Sequence, residues 1–207
     1  MEMGLRERKK QRTKRAVMDI ALRLFSEKGF DATTVEEICA EAEISPSTFF
    51  RYFATKEAAA FPDEQERVAV VERVLRNRTA DEPLHATIRR AALMLVDHDL
   101  DAKGDFEARL ELMAREPAIL AYATQTQNEA AEIFTQILAE QLELDPQTDL
   151  RPRLIVGAAF AAEGSVWTAW AGGEADGDLR ALVNEAFDLT DAGLAAIDIA
   201  PASSVRA

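Results

Sequence analysis

The sequence has few of the residues on which enzyme chemistry and disulfide scaffolds depend. Its 207 residues include one cysteine, Cys39, and two histidines, His85 and His98. A single cysteine excludes an internal disulfide and favours a reducing compartment. The motifs of zinc peptidases, serine hydrolases, phosphate-binding loops and dinucleotide-binding folds are all missing. We therefore expect no enzyme activity, no catalytic residue, no metal and no resident cofactor.

Long hydrophobic runs are also missing. No apolar stretch reaches the roughly 18 residues that a membrane-spanning helix needs. The first 15 residues are highly charged, and no apolar segment with a signal cleavage site follows them. We therefore expect a cytoplasmic protein that has no membrane as partner, and the apolar fraction of 48% is sufficient for a globular core.

Negative charge dominates the chain, but it is unevenly distributed. The net charge is -13, yet residues 5–15 contain seven basic side chains and one acidic side chain. Residues 1–56 carry a net charge of +2, and the remainder carries -15. Alone, such a basic segment would be interpreted as a solvated surface. If a DNA-binding motif followed it, contact with phosphates would be favoured instead.

Helical periodicity runs through almost the whole chain, and no alternating strand pattern interrupts it. In the first helix the apolar residues recur every three or four positions, and Gly29 ends it. Short breaks that each contain Gly or Pro separate the later segments. The patterns predict an all-α protein with helices over these spans: 8–28, 35–42, 46–54, 64–78, 83–100, 104–114, 117–143, 150–171 and 178–197.

Two short helices carry clear start signals. Thr34 is a predicted N-cap, and Glu37 three residues later completes a capping box. Ser45 is the next predicted N-cap, with Pro46 at the first helical position. Two short helices that pack on a longer first helix are the plan of a helix-turn-helix. We therefore expect an N-terminal three-helix DNA-binding domain.

Residues 33–53 read TTVEEICAEAEISPSTFFRYF, and together with Leu24-Phe25, Gly29-Phe30 and Lys56-Glu57 they resemble the TetR family of repressors. The resemblance implies a helix-turn-helix domain with a basic N-terminal arm over residues 1–57. It implies a helical domain for effector binding and dimerisation over residues 58–207. The implied partners are double-stranded operator DNA with a near-palindromic sequence, a second copy of the chain and a small-molecule effector, and the implied role is repression.

Two positions depart from the usual pattern of this family. Glu43 stands where the turn commonly has glycine, and a left-handed conformation there would cost roughly 1 kcal/mol. Ser47 stands where glycine often precedes the threonine of the recognition helix. Because that position faces the groove in the family, we expect Ser47 to alter base preference.

The third helix is the predicted recognition helix. Phe49 and Phe53 are four residues apart and suit its inner face, so Phe50, Arg51 and Tyr52 are expected to point toward DNA or its flanks. Aromatics at helical spacing are more often core, but one face cannot bury all of these. The resemblance and the basic arm together predict these DNA contacts: Arg8, Lys9, Arg12, Thr34, Ser45, Pro46, Ser47, Thr48, Phe50, Arg51, Tyr52 and Lys56.

Small residues form a stripe along helix 150–171, where they allow another helix to approach closely. In the resembled family the last two long helices form the dimer interface, although packing inside one subunit would need the same small residues. We expect helix 178–197 to supply the facing side chains. The predicted interface residues are Gly157, Ala161, Gly164, Thr168, Val183 and Phe187.

A second stripe on helix 150–171 is large and apolar except for Glu163. It fits a pocket wall with one carboxylate, or a plain core in which Glu163 lies at a wet edge or beside an arginine. The C-terminal half also resembles the mycofactocin-type regulators, which implies an acyl-coenzyme A or other lipophilic effector, while a cation would fit Glu163. The candidate pocket residues are Met94, Leu110, Met113, Phe134, Phe160, Glu163 and Trp167.

Two competing interpretations stay open at this point. His98 lies between Asp97 and Asp99, but adjacent helical residues point apart, so a solvated helix end is favoured over a metal site. A dimeric DNA-binding protein that needs no ligand is the other alternative. A body of about 150 residues is larger than dimerisation alone requires, which favours an effector.

Overall fold

The computed structural model describes residues 5–61, 63–100, 103–171 and 178–194. These ranges contain α-helices and no strand, so the all-α prediction is confirmed. No helix in them combines the length and the apolar character that crossing a bilayer requires. The helices are α1 Leu5–Lys28, α2 Val35–Glu41, α3 Pro46–Tyr52, α4 Glu64–Arg76, α5 Leu84–Leu100, α6 Lys103–Arg115, α7 Pro117–Leu142, α8 Arg151–Ala171 and α9 Leu179–Leu194, with a short 3-10 helix at Glu57–Ala60.

The predicted start signals of α2 and α3 are confirmed. The Thr34 hydroxyl accepts a hydrogen bond from the Glu37 backbone N–H at 3.1 Å. The Glu37 carboxylate accepts the Thr34 backbone N–H at 2.9 Å, which completes the capping box. At α3 the Ser45 hydroxyl accepts the Thr48 backbone N–H at 3.2 Å, and Pro46 is the first helical residue. These caps fix where both short helices begin.

The described residues belong to two compact units, and their limits differ from the predicted division after residue 57. The first unit comprises Met1–Gln65 and Ala102–Thr126, and the second comprises Glu66–Asp101 and Gln127–Ala207. The reason is the core of the first unit, where Leu112 of α6 and Ile119 of α7 are buried with Phe25 and Phe49 of the helix-turn-helix. The helix-turn-helix therefore shares one core with helices from much later in the chain.

Polar contacts add to this shared core. The Glu116 carboxylate accepts the Phe30 backbone N–H at 3.3 Å, which ties the junction of α6 and α7 to the turn after α1. Arg109 of α6 forms a nearly buried ion pair with Asp63, with 3.1 Å between nitrogen and oxygen.

Burial raises the pKa of the Cys39 thiol, so this cysteine is a packed apolar side chain rather than a nucleophile.

The second unit contains its own core, in which α9 packs against both α5 and α8. Val183 and Phe187 of α9 are fully enclosed in it. Arg89 of α5 forms ion pairs with Asp188 and Asp191 on α9, and the first of these measures 2.6 Å. These contacts lock α5 and α9 together along the surface of the unit.

The turn between α2 and α3 is a Schellman motif with Glu43 at its left-handed position. The Ile44 backbone N–H donates to the Cys39 carbonyl at 3.0 Å, and the Glu43 N–H donates to the Ala40 carbonyl at 3.4 Å. Glu43 has a φ of 53°, as expected from its place in the sequence pattern. A side chain in this conformation is strained because its Cβ crowds the following carbonyl.

We predict that Glu43→Gly will raise the free energy of unfolding by up to about 1 kcal/mol, because glycine adopts a positive φ without this strain. Denaturant titration of the purified protein measures the change. Ala40→Gly is the matched control: it introduces glycine within α2 itself and should lower the free energy of unfolding by about 1 kcal/mol. A loss of stability in Glu43→Gly equal to that in the control would contradict the assignment of strain.

Candidate functional site

The outer face of α3 is the clearest candidate for a DNA-reading surface. Phe49 is fully buried, and Phe53 directly after the helix is buried beside it, with ring centroids 5.1 Å apart. Pro46, Ser47 and Phe50 are exposed. Phe50 keeps 55% of its surface in water, which is unusual for a phenylalanine. The structure thus turns these predicted contact residues outward, where a partner can reach them.

The start of α3 presents a cluster of small hydroxyl groups. The Ser45 hydroxyl oxygen lies 2.9 Å from that of Ser47 and 3.0 Å from that of Thr48. Ser45 and Ser47 are exposed and Thr48 is half-buried. Thr34 is exposed at the start of α2. Small polar side chains of this kind allow the backbone of a helix to come close to base edges or phosphates.

Arg51 and Tyr52 form a pair at the end of α3. The Arg51 guanidinium carbon lies 5.0 Å from the centroid of the Tyr52 ring, and its Nη2 lies 3.4 Å from the phenolic oxygen. Arg51 is exposed, whereas Tyr52 is half-buried against the core of the first unit. Tyr52 therefore packs against the core of the first unit and also contacts the guanidinium group of Arg51.

Basic residues of α1 border a groove beside the helix-turn-helix. Arg8, Lys9 and Arg12 are exposed, as the DNA-contact prediction requires. They line an open groove of about 750 Å³ whose floor includes Ala42 and Ile44 of the turn between α2 and α3. The positive charge of α1 thus lies next to the motif. This placement supports a role in contacting phosphates, which stays a prediction.

Lys56 requires a correction. Sequence reasoning assigned it to a DNA phosphate, but its ammonium group donates to the backbone carbonyls of Phe30 at 2.7 Å and Thr33 at 2.9 Å. It also lies 3.9 Å from the centroid of the Phe30 ring. These contacts engage two of its three N–H donors and hold the ammonium group over an aromatic face. Lys56 therefore fastens the segment after α3 to the loop before α2.

The second unit contains a small, partly open cavity. Its volume is about 50 Å³, and every lining residue is apolar. Phe134 and Phe160, both predicted pocket residues, line it with their rings stacked 6.1 Å apart. Val156 belongs to the large apolar stripe of helix 150–171 that was predicted as a pocket wall, and it also lines the cavity. The spacing of Ile88, Ala91 and Ala92 could have indicated the contribution of α5. The lining residues that sequence reasoning missed are Val71, Leu75, Ile88, Ala91, Ala92, Leu138, Ala159 and Phe187.

Three predicted pocket residues lie elsewhere. Leu110 and Met113 belong to α6 in the first unit, and Met113 packs against the core of the helix-turn-helix. Met94 is exposed and lines an open, charged groove between α5 and α9. Their apolar character had suggested a shared cavity, but hydrophobicity does not reveal which core a side chain joins.

Glu163 does not line the cavity. Its carboxylate lies 3.6 Å from the Arg67 guanidinium, and both side chains are largely buried. The indole N–H of Trp167 donates to the same carboxylate at 3.5 Å, and Trp167 itself is buried. Of the two arrangements expected for Glu163, the structure thus has the one in which it pairs with an arginine. A neutralised carboxylate no longer argues for a cationic effector.

The small stripe of α8 is exposed along its length. Gly157, Ala161, Gly164 and Thr168 all face away from the core of the second unit. A Cβ atom added at either glycine would meet nothing within 4 Å, so the subunit itself does not require glycine there.

Val183 and Phe187 need a correction as interface residues, because both are buried inside the subunit. A side chain enclosed in this way cannot contact a second copy. Periodicity identified the apolar face of α9 correctly, but that face packs within the subunit. Whether His98 forms part of a metal site or a solvated helix end was left open by the sequence, and its side chain lies outside the described residues.

Comparison with known proteins identifies the family. The model of the bacterial regulatory proteins of the tetR family matches residues 17–58, and the MftR C-terminal domain matches residues 82–195. The transcriptional regulator TcmR of Streptomyces glaucescens is 37% identical over 185 residues, which cover 86% of this chain and 81% of that protein. The chain belongs to the TetR family.

Two further similarities bear on this TetR-family chain. The putative mycofactocin biosynthesis regulator MftR of Mycobacterium tuberculosis is 26% identical over 90% of this chain and 93% of its own length, in line with the predicted resemblance. The crystal structure of Thermus thermophilus FadR in complex with lauroyl-CoA superposes with a TM-score of 0.53 at 23% identity, covering 85% of this chain and 92% of that one. The names of these relatives are those of DNA-binding regulators, not of enzymes.

For this TetR-family chain we predict that Lys56→Met will lower the free energy of unfolding by about 1–3 kcal/mol, because it removes two charge-assisted hydrogen bonds. The salt dependence of DNA binding should stay unchanged. Denaturant titration and DNA-binding isotherms at several salt concentrations measure the two quantities.

Lys9→Met is the matched control, since Lys9 is exposed on α1. It should leave stability within about 0.5 kcal/mol and reduce the slope of log affinity against log salt by about 0.9 for each phosphate that is no longer neutralised. A Lys56→Met protein of unchanged stability with a reduced slope would restore the phosphate role.

Proposed function

We propose that this regulator is a ligand-responsive repressor: a homodimer that binds a near-palindromic operator and releases it when a small apolar or amphipathic molecule binds. The observation that carries the ligand part is the cavity of the second unit. Five helices, α4, α5, α7, α8 and α9, contribute its walls, and all eleven lining residues are apolar. Such a space attracts hydrocarbon and gives a polar molecule nothing to bind.

The cavity volume implies a mechanism. Ligand pockets typically measure about 300–1,000 Å³, whereas this cavity measures about 50 Å³. An acyl chain can enter only if the surrounding helices move apart, so the ligand binds an expanded conformation better than the closed one. This difference in affinity is what allows a ligand to shift the population of a second conformation.

The proposed effector class rests on the apolar lining of the cavity and on the ion pair of Glu163. Because Arg67 neutralises Glu163, we favour an acyl-coenzyme A or another lipophilic molecule over a lipophilic cation. The Thermus thermophilus FadR structure contains lauroyl-CoA, which has this chemistry. Long-chain acyl-coenzyme A esters are therefore the first compounds to screen.

Operator binding is assigned to the outer face of α3 and the basic residues of α1. In a dimer the two copies of α3 would enter major grooves about one helical turn, or a multiple of it, apart. Expansion of the second unit would then favour a dimer whose reading helices are wrongly spaced. A coupling of roughly 1–3 kcal/mol lowers operator affinity by about 5- to 150-fold.

The dimer is assigned to the exposed face of α8. Leu154 adds a large apolar side chain to the stripe of Gly157, Ala161, Gly164 and Thr168, with 57% of its surface exposed. Leu189 of α9 is exposed to 74%. A row of small exposed residues that continues the line of the exposed Leu154 favours close packing of a second, identical face.

A ligand-independent dimeric DNA-binding protein is the second candidate function. The small cavity volume favours it, because a body that stays closed has no room for an effector.

We predict that Ala161→Glu will convert a dimer into a monomer, because it places a charge at the centre of the proposed interface. Analytical ultracentrifugation at micromolar concentration measures the mass. Ala118→Glu, on an exposed position of α7, is the matched control and should leave the dimer intact. A monomeric parent protein, or a dimeric Ala161→Glu, would contradict the assignment.

We predict that an acyl-coenzyme A ester will change tryptophan emission and release operator DNA, and that Ala92→Val will weaken both effects at least tenfold. The added methyl groups fill the cavity that the acyl chain needs. Trp167 and Trp170, the two tryptophans, are in contact at 5.8 Å between ring centroids and report on movement of α8.

Ala86→Val is the matched control, since Ala86 lies on the same helix but lines the outer groove. It should respond to the ligand like the parent. If no ester in the screen changed either emission or operator affinity, the ligand-independent candidate would replace the proposal.

A further inference from the structure

The subunit leaves more than half of the Phe50 side chain exposed. The Phe50 ring meets Phe49 edge-on at 5.4 Å between ring centroids, yet 55% of its surface remains in water. Removing a phenylalanine side chain from water is favourable. A partner that covers this ring therefore gains binding energy which the fold leaves unused.

The surroundings of Phe50 indicate which partner this is. Pro46 lies one helical turn before it and is also exposed, so the two side chains form a continuous apolar patch. The exposed hydroxyl of Ser47 and the exposed guanidinium of Arg51 flank the patch. An apolar patch framed by a hydroxyl and a cation suits base edges beside phosphates better than an apolar protein surface.

The chemistry of the major groove narrows the contact further. Base edges there carry hydrogen-bond donors and acceptors, and the one apolar group is the 5-methyl of thymine. The Phe50 ring has neither a donor nor an acceptor for a base edge. Among the four bases, thymine is therefore the one that rewards contact with this ring.

We propose that Phe50, supported by Pro46, reads the 5-methyl group of a thymine in each half-site of the operator, and that it is a specificity-determining residue. The inference rests on the proposed DNA-binding role of α3. It assigns thymine recognition to an apolar contact, whereas Arg51 and Ser47 are left to contact phosphates or polar base edges. A half-site without a thymine opposite Phe50 is bound more weakly.

The test begins with DNA sites selected from a random pool by the full-length protein. Each thymine of the selected half-site is then replaced in turn by deoxyuridine, which removes the methyl group and keeps every hydrogen bond. We expect one position, or two adjacent positions, at which the replacement weakens binding about fourfold per half-site, the factor for one methyl group buried. In Phe50→Ala this sensitivity should disappear at that position and persist elsewhere.

Two further variants keep the test decisive. Phe50→Leu retains an apolar side chain and should retain part of the sensitivity to deoxyuridine. Arg51→Ala should weaken binding to all sites and leave the sensitivity unchanged. Since Phe50 is exposed, unfolding curves of its variants should match the parent.

Failure of this inference is distinguishable from failure of the proposed function. If the protein selects no DNA, the DNA-binding role itself is wrong. If it selects a site, but Phe50→Ala is as sensitive to deoxyuridine as the parent at every thymine, only the thymine contact is overturned. Selection of a half-site that contains no thymine would also overturn the thymine contact and leave the DNA-binding role intact.

Discussion

Burial of Phe49 is the contact on which the DNA-facing surface depends. Its ring is fully enclosed in the core of the first unit, and loss of a buried phenylalanine ring costs about 3–5 kcal/mol. Because successive side chains on a helix point about 100° apart, a fixed Phe49 forces Phe50 outward. The outward orientation of the residues beside Phe49 follows from its burial.

A helix of seven residues needs such anchors, because an isolated helix of this length is unstable in water. Ser45 fixes its first turn, Phe49 and Phe53 fix its inner face, and Lys56 fastens the chain that leaves it. The candidate DNA-reading surface is therefore held from both ends and from its buried side. Rigid presentation of this kind lowers the entropic cost of binding a structured partner.

Local signals made much of the fold predictable from sequence. Thr34 with Glu37, Ser45 with Pro46, and Gly29 each act within a few residues, so the starts of α2 and α3 and the end of α1 agree with expectation. Periodicity likewise identified Phe49 and Phe53 as inner residues and Phe134 and Phe160 as neighbours of a cavity. Glu43 at a positive φ was predictable from its register in a family pattern.

Contacts between distant positions were not predictable in this way. Lys56 was assigned to DNA from its position in the family pattern. Its partners inside the unit are the carbonyl oxygens of Phe30 and Thr33, which the sequence does not distinguish from any other carbonyl oxygens. Val183 and Phe187 were assigned to a dimer because an apolar stripe looks the same whether it packs within a subunit or between two. The pairing of Glu163 with Arg67 joins positions that no local pattern connects.

The composite core of the first unit has a consequence for how the protein is made. Leu112 and Ile119 lie in the same core as Phe25 and Phe49, and Glu116 holds the Phe30 backbone. On the ribosome the residues of α1 to α3 emerge first, yet their core stays incomplete until the chain has grown past α6 and into α7. The nascent helix-turn-helix thus exposes apolar surface during synthesis of α4 and α5, and it becomes fully stable only late in translation. A chain truncated before α6 would lack part of this core, so we expect it to fold less stably than the full-length protein.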